Sequence, residues 1–517
     1  MQHVINRQQI ELSVEISGGG IVSGVRESKA AFQLQEQASR QFYSRVLPIL
    51  ERVFDQLGPE GEIVSIDEIV IDLGAITADK LDDGSWADTL YDKLLEQAKG
   101  LIREGGARRR AVRRPVGAGR VEQWLAYMRT GRLPWSLVSL DREWLQGVLE
   151  HLAADHAAVM SVRMALAGGG ALVTRVVDQH DVTFLVSLME VLTAQNQAGL
   201  PAALEEVALI SRELAATGGA RDHGEVGDVW QRGELGEVGA LWVGLPNANT
   251  KMLFTSILKL AAAETAVWTT EAFVRKFLRE LPWRRVDVMV IRERLAKQLT
   301  ICGALLSEIV VPGERTRDEL VRSDEKQKEK PQQQTLLHKK SPATETDKEL
   351  EDGIFVPYAG FVLLHAFLPT FLERVGLVQE GIFVADTARI RAVQLLQYVA
   401  TGLPDNPEYE LVIAKLLCAL PLEEPAGREF EPTAAEAEEA DGLLDACLAQ
   451  WQVLQNTSRD GLRANFLNRN GMLYRQNGQL RLEVEKMAFD MLLDHLPWNI
   501  SLVLLPWMPG MLHVNWR

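Results

Sequence analysis

The chain has 517 residues, 47% hydrophobic and 24% charged, with a formal net charge of −16. This composition fits a folded chain of roughly two to four domains with a sizeable core. The negative balance argues against a general nucleic-acid binder, which needs a concentrated basic face, and the three widely spaced cysteines, Cys302, Cys418 and Cys447, give neither a disulfide framework nor a metal knuckle.

The elements follow in chain order. The N-terminal sequence lacks a basic region followed by an apolar run, so it does not read as a signal peptide. Ile10, Leu12, Val14 and Ile16 alternate and predict a first strand. Phe42, Val46, Ile49, Leu50, Val53, Phe54 and Leu57 then form a helical stripe, interrupted early by Pro48. In EIVIDLG, Ile69, Ile71 and Leu73 alternate with Val70 and Asp72 and predict a second strand. Residues 1–104 therefore read as an N-terminal α/β-type module. GGARRRAVRRPVGAG, residues 105–119, carries five arginines between Arg108 and Arg114 and reads as a solvated basic linker.

A mainly helical region spans 120–314, with a Gly-rich break near 218–249. In WLAYMRTGRLPW, Trp124 to Trp135, a helix stops at Gly131 and Pro134 follows, the expected stop signal. FVRKFLRELPW, Phe273 to Trp283, repeats the device. Residues 315–352 are charged and rich in Gln and Pro, which predicts a disordered linker. The C-terminal domain, 353–517, opens with FVPYAGFVLLHAFLPTFL, too interrupted by His365 and two prolines to read as a membrane span and better suited to a buried helix. EEPAGREFEPTAAEAEEADG reads as a solvated loop, with helical periodicity returning near Gly442. Asn477-Gly478 predicts a β-hairpin with Leu480, Leu482 and Val484 facing the core. Lys486 to His495 predicts a short amphipathic helix with Met487, Met491, Leu492 and Leu493 available for packing. The fold class is α+β: predominantly helical, multi-domain, with small β elements near the N-terminus and a β-hairpin near the C-terminus.

Signatures of chemistry are few. There is no phosphate-binding loop, HExxH or GxSxG, and the triplet Gly18 to Gly20 lacks the rest of any such pattern. His151 and His156, five apart, point in different directions on a helix. The acidic loop does not hold two carboxylates rigidly across a pocket. No catalytic, cofactor-binding or metal-binding residue is assigned. What recurs is Leu-Pro-Trp, at 133–135, 281–283, 496–498 and 505–507. Pro blocks helix continuation, and Trp offers a large apolar face with one N–H to satisfy. Trp135, Trp283, Pro497, Trp498, Pro506, Trp507, Met508 and Trp516 are thus candidate structural or interface anchors.

Six stretches, taken in order, carry a resemblance: HVINRQQIELSVE; LPILERVFDQLGPEGEIVSIDEIVIDLG; WLAYMRTGRLPW; VPYAGFVLLHAFLPTFLERVGLV; AVQLLQYVATGLP; and NGQLRLEVEKMAFDMLLDHLPWNISLVLLPWMPGMLHVNW. Together the chain resembles the tape measure proteins of contractile injection systems, the phage-tail-like machines of bacteria. The resemblance implies a non-enzymatic assembly protein that sets tube and sheath length. It also implies work in the bacterial cytoplasm or within the assembled particle, against tube, sheath or baseplate proteins. Neither nucleic acid nor membrane integration is expected, and self-association stays open. A baseplate-side adaptor or assembly chaperone of the same machine is the alternative reading, and an enzyme a distant one.

Overall fold

The computed structural model describes residues 40–57, 62–74, 84–104, 111–134, 140–218, 250–263, 267–280, 285–306 and 345–516, together with Ile5 and Leu137. The predicted strand at Ile10 to Ile16, the Gly-rich break and most of the charged linker lie outside them. The described residues divide between two compact units, one drawn from Met1–Trp124 and Pro134–His151, the other from Leu125–Leu133 and Leu152–Arg517. The described part is predominantly helical with small β elements toward both ends.

In the first unit the helices Leu47–Leu57 and Trp86–Glu104 enclose a small core of Val53, Leu57, Leu94 and Ala98. Pro48 lies just past a π-type turn, Phe42–Val46, in a helical stretch that runs without a break from residue 40, so the widened turn accommodates its missing N–H. Strand β1, Glu62–Ile66, pairs antiparallel with β2, Ala111–Pro115, from Glu62 opposite Pro115 to Ile66 opposite Ala111. Two expectations change here. The strand read at Ile69 to Leu73 is not one: Ile69 and Ile71 are half-buried against the core and Val70 is 67% exposed, but among the described residues no neighbour supplies a ladder. Alternation there reports burial, not pairing. The stretch read as a basic linker instead contributes β2 and the start of the helix Val116–Thr130. Ile63 and Val64, β-branched, provide the opposing extended chain, and Pro115 falls at the strand's end.

In the second unit, helices His156–Gly168, Gly170–Gln179, Val182–Thr193, Leu200–Gly218, Thr250–Ala263 and Thr270–Glu280 pack on one another. Asp155 and Asp181 cap two of them, accepting from the Ala157 and Phe184 N–H groups at 2.8 Å each. Glu206 caps the short helix Ile301–Leu305 from outside, accepting from the N–H groups of Thr300, Ile301 and Cys302 at 2.8, 3.0 and 2.7 Å. Burial pushes the Glu206 carboxyl up, but these donors outweigh it and hold the group below the usual range.

From residue 345 the chain builds one large core. Helix Glu345–Asp352 lies within the stretch read as a disordered linker. The apolar run expected as one buried helix is a tight 3₁₀ segment, Ala359–Phe367, continued by Leu368–Arg374 with Pro369 in its first turn. The tight segment permits a close approach: a Cβ on Gly360 would fall 1.8 Å from the Phe466 carbonyl oxygen. Helix Asp386–Thr401 ends at Gly402, φ +73°. The expected solvated loop is shorter than its composition suggests, because helix Ala434–Gln450 begins inside it. Thr433 and Glu436 form a capping box, and the Arg391 guanidinium bonds both Glu436 oxygens at 2.7 and 2.6 Å.

The sheet of this unit uses β3 (Ile354–Val356), β6 (Gly471–Gln476), β7 (Gln479–Val484), β8 (Leu502–Val503) and β9 (Leu512–Asn515) in the order β3-β6-β7-β9-β8. β6 and β7 form the predicted hairpin, with Asn477 and Gly478 at φ +53° and +77°, the left-handed pair a two-residue turn demands. Leu482 and Val484 are buried and Leu480 is partly buried against the core. β9 then runs parallel to β7, Leu480 opposite Leu512 and Leu482 opposite Val514. A separate two-stranded ribbon joins β4 (Val378–Gln379) to β5 (Ile382–Phe383).

Candidate functional site: a buried ionic junction and the tryptophan anchors

The helix that carries WLAYMRTG ends at Gly131, whose N–H donates to the Tyr127 carbonyl at 2.8 Å and whose φ is +73°. That turn lies on a buried ion cluster. A Cβ on Gly131 would come within 2.6 Å of Glu408 Oε1 and 3.2 Å of Arg175 Nε. Glycine is therefore required twice, for its backbone angle and for space.

Arg175 and Glu408 are both fully buried. Arg175 Nε donates to Glu408 Oε2 at 2.8 Å and Nη2 to Oε1 at 3.1 Å, a bidentate pair. Its remaining N–H groups donate to the carbonyls of Met128, Arg129 and Glu423 at 2.6, 3.0 and 2.7 Å. All five guanidinium donors are thus used. Lys415, also buried, donates to Glu408 Oε1 at 2.6 Å and to the Leu422 carbonyl at 3.1 Å. Burial lowers the Lys415 pKa, against the pull of Glu408. The Glu408 N–H donates to Gln179 Oε1, which also accepts from the Tyr127 hydroxyl, each at 2.9 Å. Burial chiefly, with Glu408 adding to it, raises Tyr127 well above the ordinary phenol range.

Arg132, next to Gly131, extends the cluster. Its Nε donates to Glu349 Oε2 at 3.0 Å, its Nη2 donates to the Thr346 hydroxyl at 2.9 Å and also to Glu349, and its Nη1 reaches the Thr130 carbonyl at 3.3 Å. The Thr346 hydroxyl in turn donates to Glu423. Arg132 thus pairs with Glu349, Arg175 and Lys415 share Glu408, and the Glu423 carboxylate is tied in through the Thr346 hydroxyl. These bonds join segments 125–133, 170–179, 345–352 and 408–423.

The anchors at the C-terminal end turn inward. Trp498 Nε1 donates to the Leu363 carbonyl at 2.9 Å, and its ring meets Phe367 edge-on at 5.0 Å. Trp507 Nε1 donates to the Leu417 carbonyl at 2.7 Å, and its ring lies 5.1 Å from Phe383. Trp516 is 2% exposed and belongs to the main core, and Met508 is half-buried against that core. Pro497 and Pro506 are exposed. Trp135 and Trp283 lie outside the described residues. The triplet at 496–498 follows a helical turn as expected, whereas that at 505–507 follows strand β8. Sequence reasoning missed a further tryptophan of the same kind, the buried Trp451, whose Nε1 donates to the Leu492 carbonyl at 3.2 Å. The side chains expected to pack from Lys486 to His495 divide. Leu493 is buried, but Met487 and Met491 are 51% and 70% exposed, because Ala488–His495 is 3₁₀ and not α, which rotates its apolar positions off one face.

Among the described residues no group of three or more His, Cys, Asp and Glu is placed to hold a metal ion. Cys302, Cys418 and Cys447 are buried, and burial pushes their thiols up, Cys447 to about 12. No single described helix is long and apolar enough to cross a membrane. His365, half-buried, lies with Nδ1 3.0 Å from the Val362 carbonyl oxygen within its own turn.

These side chains cross-link segments distant in the chain. The family model for contractile injection system tape measure proteins matches residues 2–516, and the chain belongs to that family. No curated protein and no solved structure matches it. Family membership carries with it interaction with other components of such a system.

Proposed function

We propose that this chain is a non-enzymatic assembly protein that controls tube and sheath length as a contractile injection particle is built in the bacterial cytoplasm. The family match over residues 2–516 is the observation that carries this reading. Its partners are the tube, sheath or baseplate proteins. The fold constrains how length is set. All 517 residues as one helix would span about 775 Å. The longest described helices, Trp86–Glu104 and Leu200–Gly218, have 19 residues each, about 28 Å. No described helix is therefore itself a rod of tube length. Length control works through extension of the chain, through several copies, or through nucleation. Electron microscopy of particles from cells lacking the chain tests the proposal. Particles of scattered length, or none, are expected; a normal length distribution would sink it.

A second reading, an adaptor at the baseplate, draws on the exposed Met487, Phe489 and Met491, at 51%, 56% and 70%. The inward-turned tryptophans do not supply such a surface. Met487→Glu with Met491→Glu should then abolish incorporation into particles without loss of thermal stability, and normal incorporation would count against the adaptor.

A further inference from the structure

Helix Glu345–Asp352 has the construction of a strap. Its sequence, ETDKELED, holds five carboxylates against one lysine. Eight residues are too few for a helix to stand alone in water. It ends at Gly353, φ +100°, whose N–H donates to the Glu349 carbonyl at 2.8 Å. Beyond that glycine the chain enters β3 and is fixed by pairing with β6, Ile354 opposite Leu473. The glycine is thus the natural hinge between a secured strand and the helix before it.

Among the described residues the helix packs along β6, and its polar fastenings are at Thr346 and Glu349. Leu350 enters the large core, and Thr346 is buried. Thr346 and Glu349 both bond to Arg132, and Thr346 also bonds to Glu423. Arg132 is 5% exposed on its side chain, whereas Glu349 is 38% exposed. One end of the ion pair is therefore held rigidly by the Thr130 turn and the other is open to water and salt. Such an element sits at the low-stability end of a fold, able to open without the core.

We propose that Glu345–Asp352 is a releasable strap, hinged at Gly353 and bolted by Arg132, whose local opening uncovers the ionic junction while the C-terminal core stays folded. This goes beyond the length-control reading and does not rest on it. The bolt is a single guanidinium placed one residue after the glycine turn that rests on Glu408. The same turn therefore seals the junction and secures the strap.

Hydrogen–deuterium exchange on the full chain, read peptide by peptide, tests the strap. Arg132→Gln should raise exchange across 346–352 by about tenfold or more, with protection unchanged across 359–374 and 386–401. Glu349→Gln, which removes the solvent-facing partner, should produce the same local rise if Arg132→Gln fails to fold. In the unaltered chain, added sodium chloride should raise exchange in the same peptide alone. Unchanged exchange in 346–352 in both variants would overturn the strap, as would a rise spread evenly over the whole C-terminal core.

Discussion

Replacing Glu408 by Gln keeps the shape of the junction and removes its central charge. Arg175 retains its three carbonyl acceptors and the amide oxygen of the new side chain. Lys415 retains only the Leu422 carbonyl. A guanidinium does not give up its proton, so the uncompensated charge is relieved at Lys415. Holding a lysine neutral at pH 7 costs at most about 5 kcal/mol, from an ordinary pKa near ~10.4. Breaking a buried pair from one side costs about 3–5 kcal/mol. The two routes agree, and Glu408→Gln should lose about 3–5 kcal/mol at pH 7. The sign of the pH dependence follows. In the variant the folded-state pKa of Lys415 is depressed below its unfolded value. Burial already depresses the folded-state pKa of Lys415 in the unaltered chain, and above that pKa both folded chains hold the lysine neutral, so this part of the deficit vanishes. As pH falls below it the unaltered folded chain binds the proton and the variant does not, so the deficit grows by about 1.4 kcal/mol per unit until the variant's still lower folded pKa is reached. Urea unfolding followed by tryptophan fluorescence, at pH 7 and pH 9.5, measures both quantities. Lys415→Met in the Glu408→Gln background should recover part of the loss. A deficit below about 1 kcal/mol at pH 7, or one equal at both pH values, would refute the reasoning.

Gly131→Ala forces a Cβ to 2.6 Å from Glu408 Oε1 at φ +73°, and should lower stability by about 2 kcal/mol or more on chemical unfolding. His180 is buried, stacked on Phe184 at 4.1 Å, with its pKa lowered by burial from 6.5 to about 4. As pH falls from 6.5 to about 4 the unfolded chain takes up that proton and the folded chain does not, so this residue removes up to about 3 kcal/mol of stability. His180→Gln should flatten the thermal-stability profile across that window. Thr433→Ala removes the capping box of Ala434–Gln450 and should cost about 1 kcal/mol, seen as a lower urea midpoint. Trp516→Ala should cost about 3–5 kcal/mol in the unfolding of the full chain, since the ring lies in the main core; a near-zero loss would show that its burial there is unimportant.

Local signals carried much of the fold. Asn477-Gly478 marked the hairpin because a two-residue turn needs two left-handed residues, and Gly131 and Gly402 marked helix ends for the same reason. The capping box of Thr433 and Glu436 went unread, because the surrounding Glu and Ala gave the stretch the look of a solvated loop. The ionic junction had no local signature. Arg132, Arg175, Glu349, Glu408, Lys415 and Glu423 share no spacing, and each alone is an ordinary surface charge. Only the tertiary fold brings them together. The terminal tryptophans were legible as anchors, but not what they anchor to: Leu363 and Leu417 are 135 and 90 positions away.

The place of β9 inside its sheet sets a timetable for synthesis. Hairpin β6–β7 is local and closes in about 1–10 μs once both strands are free. The partner for the other edge of β7 is Leu512–Asn515, roughly thirty residues later. At about 5–20 residues per second, ribosomes need on the order of seconds to make that stretch. During that interval β7 presents an unpaired edge bearing Leu480, Leu482 and Val484. The nascent chain thus passes through a stage in which this edge waits for its partner. Shielding by ribosome-associated chaperones during those seconds would bear directly on the yield of folded protein.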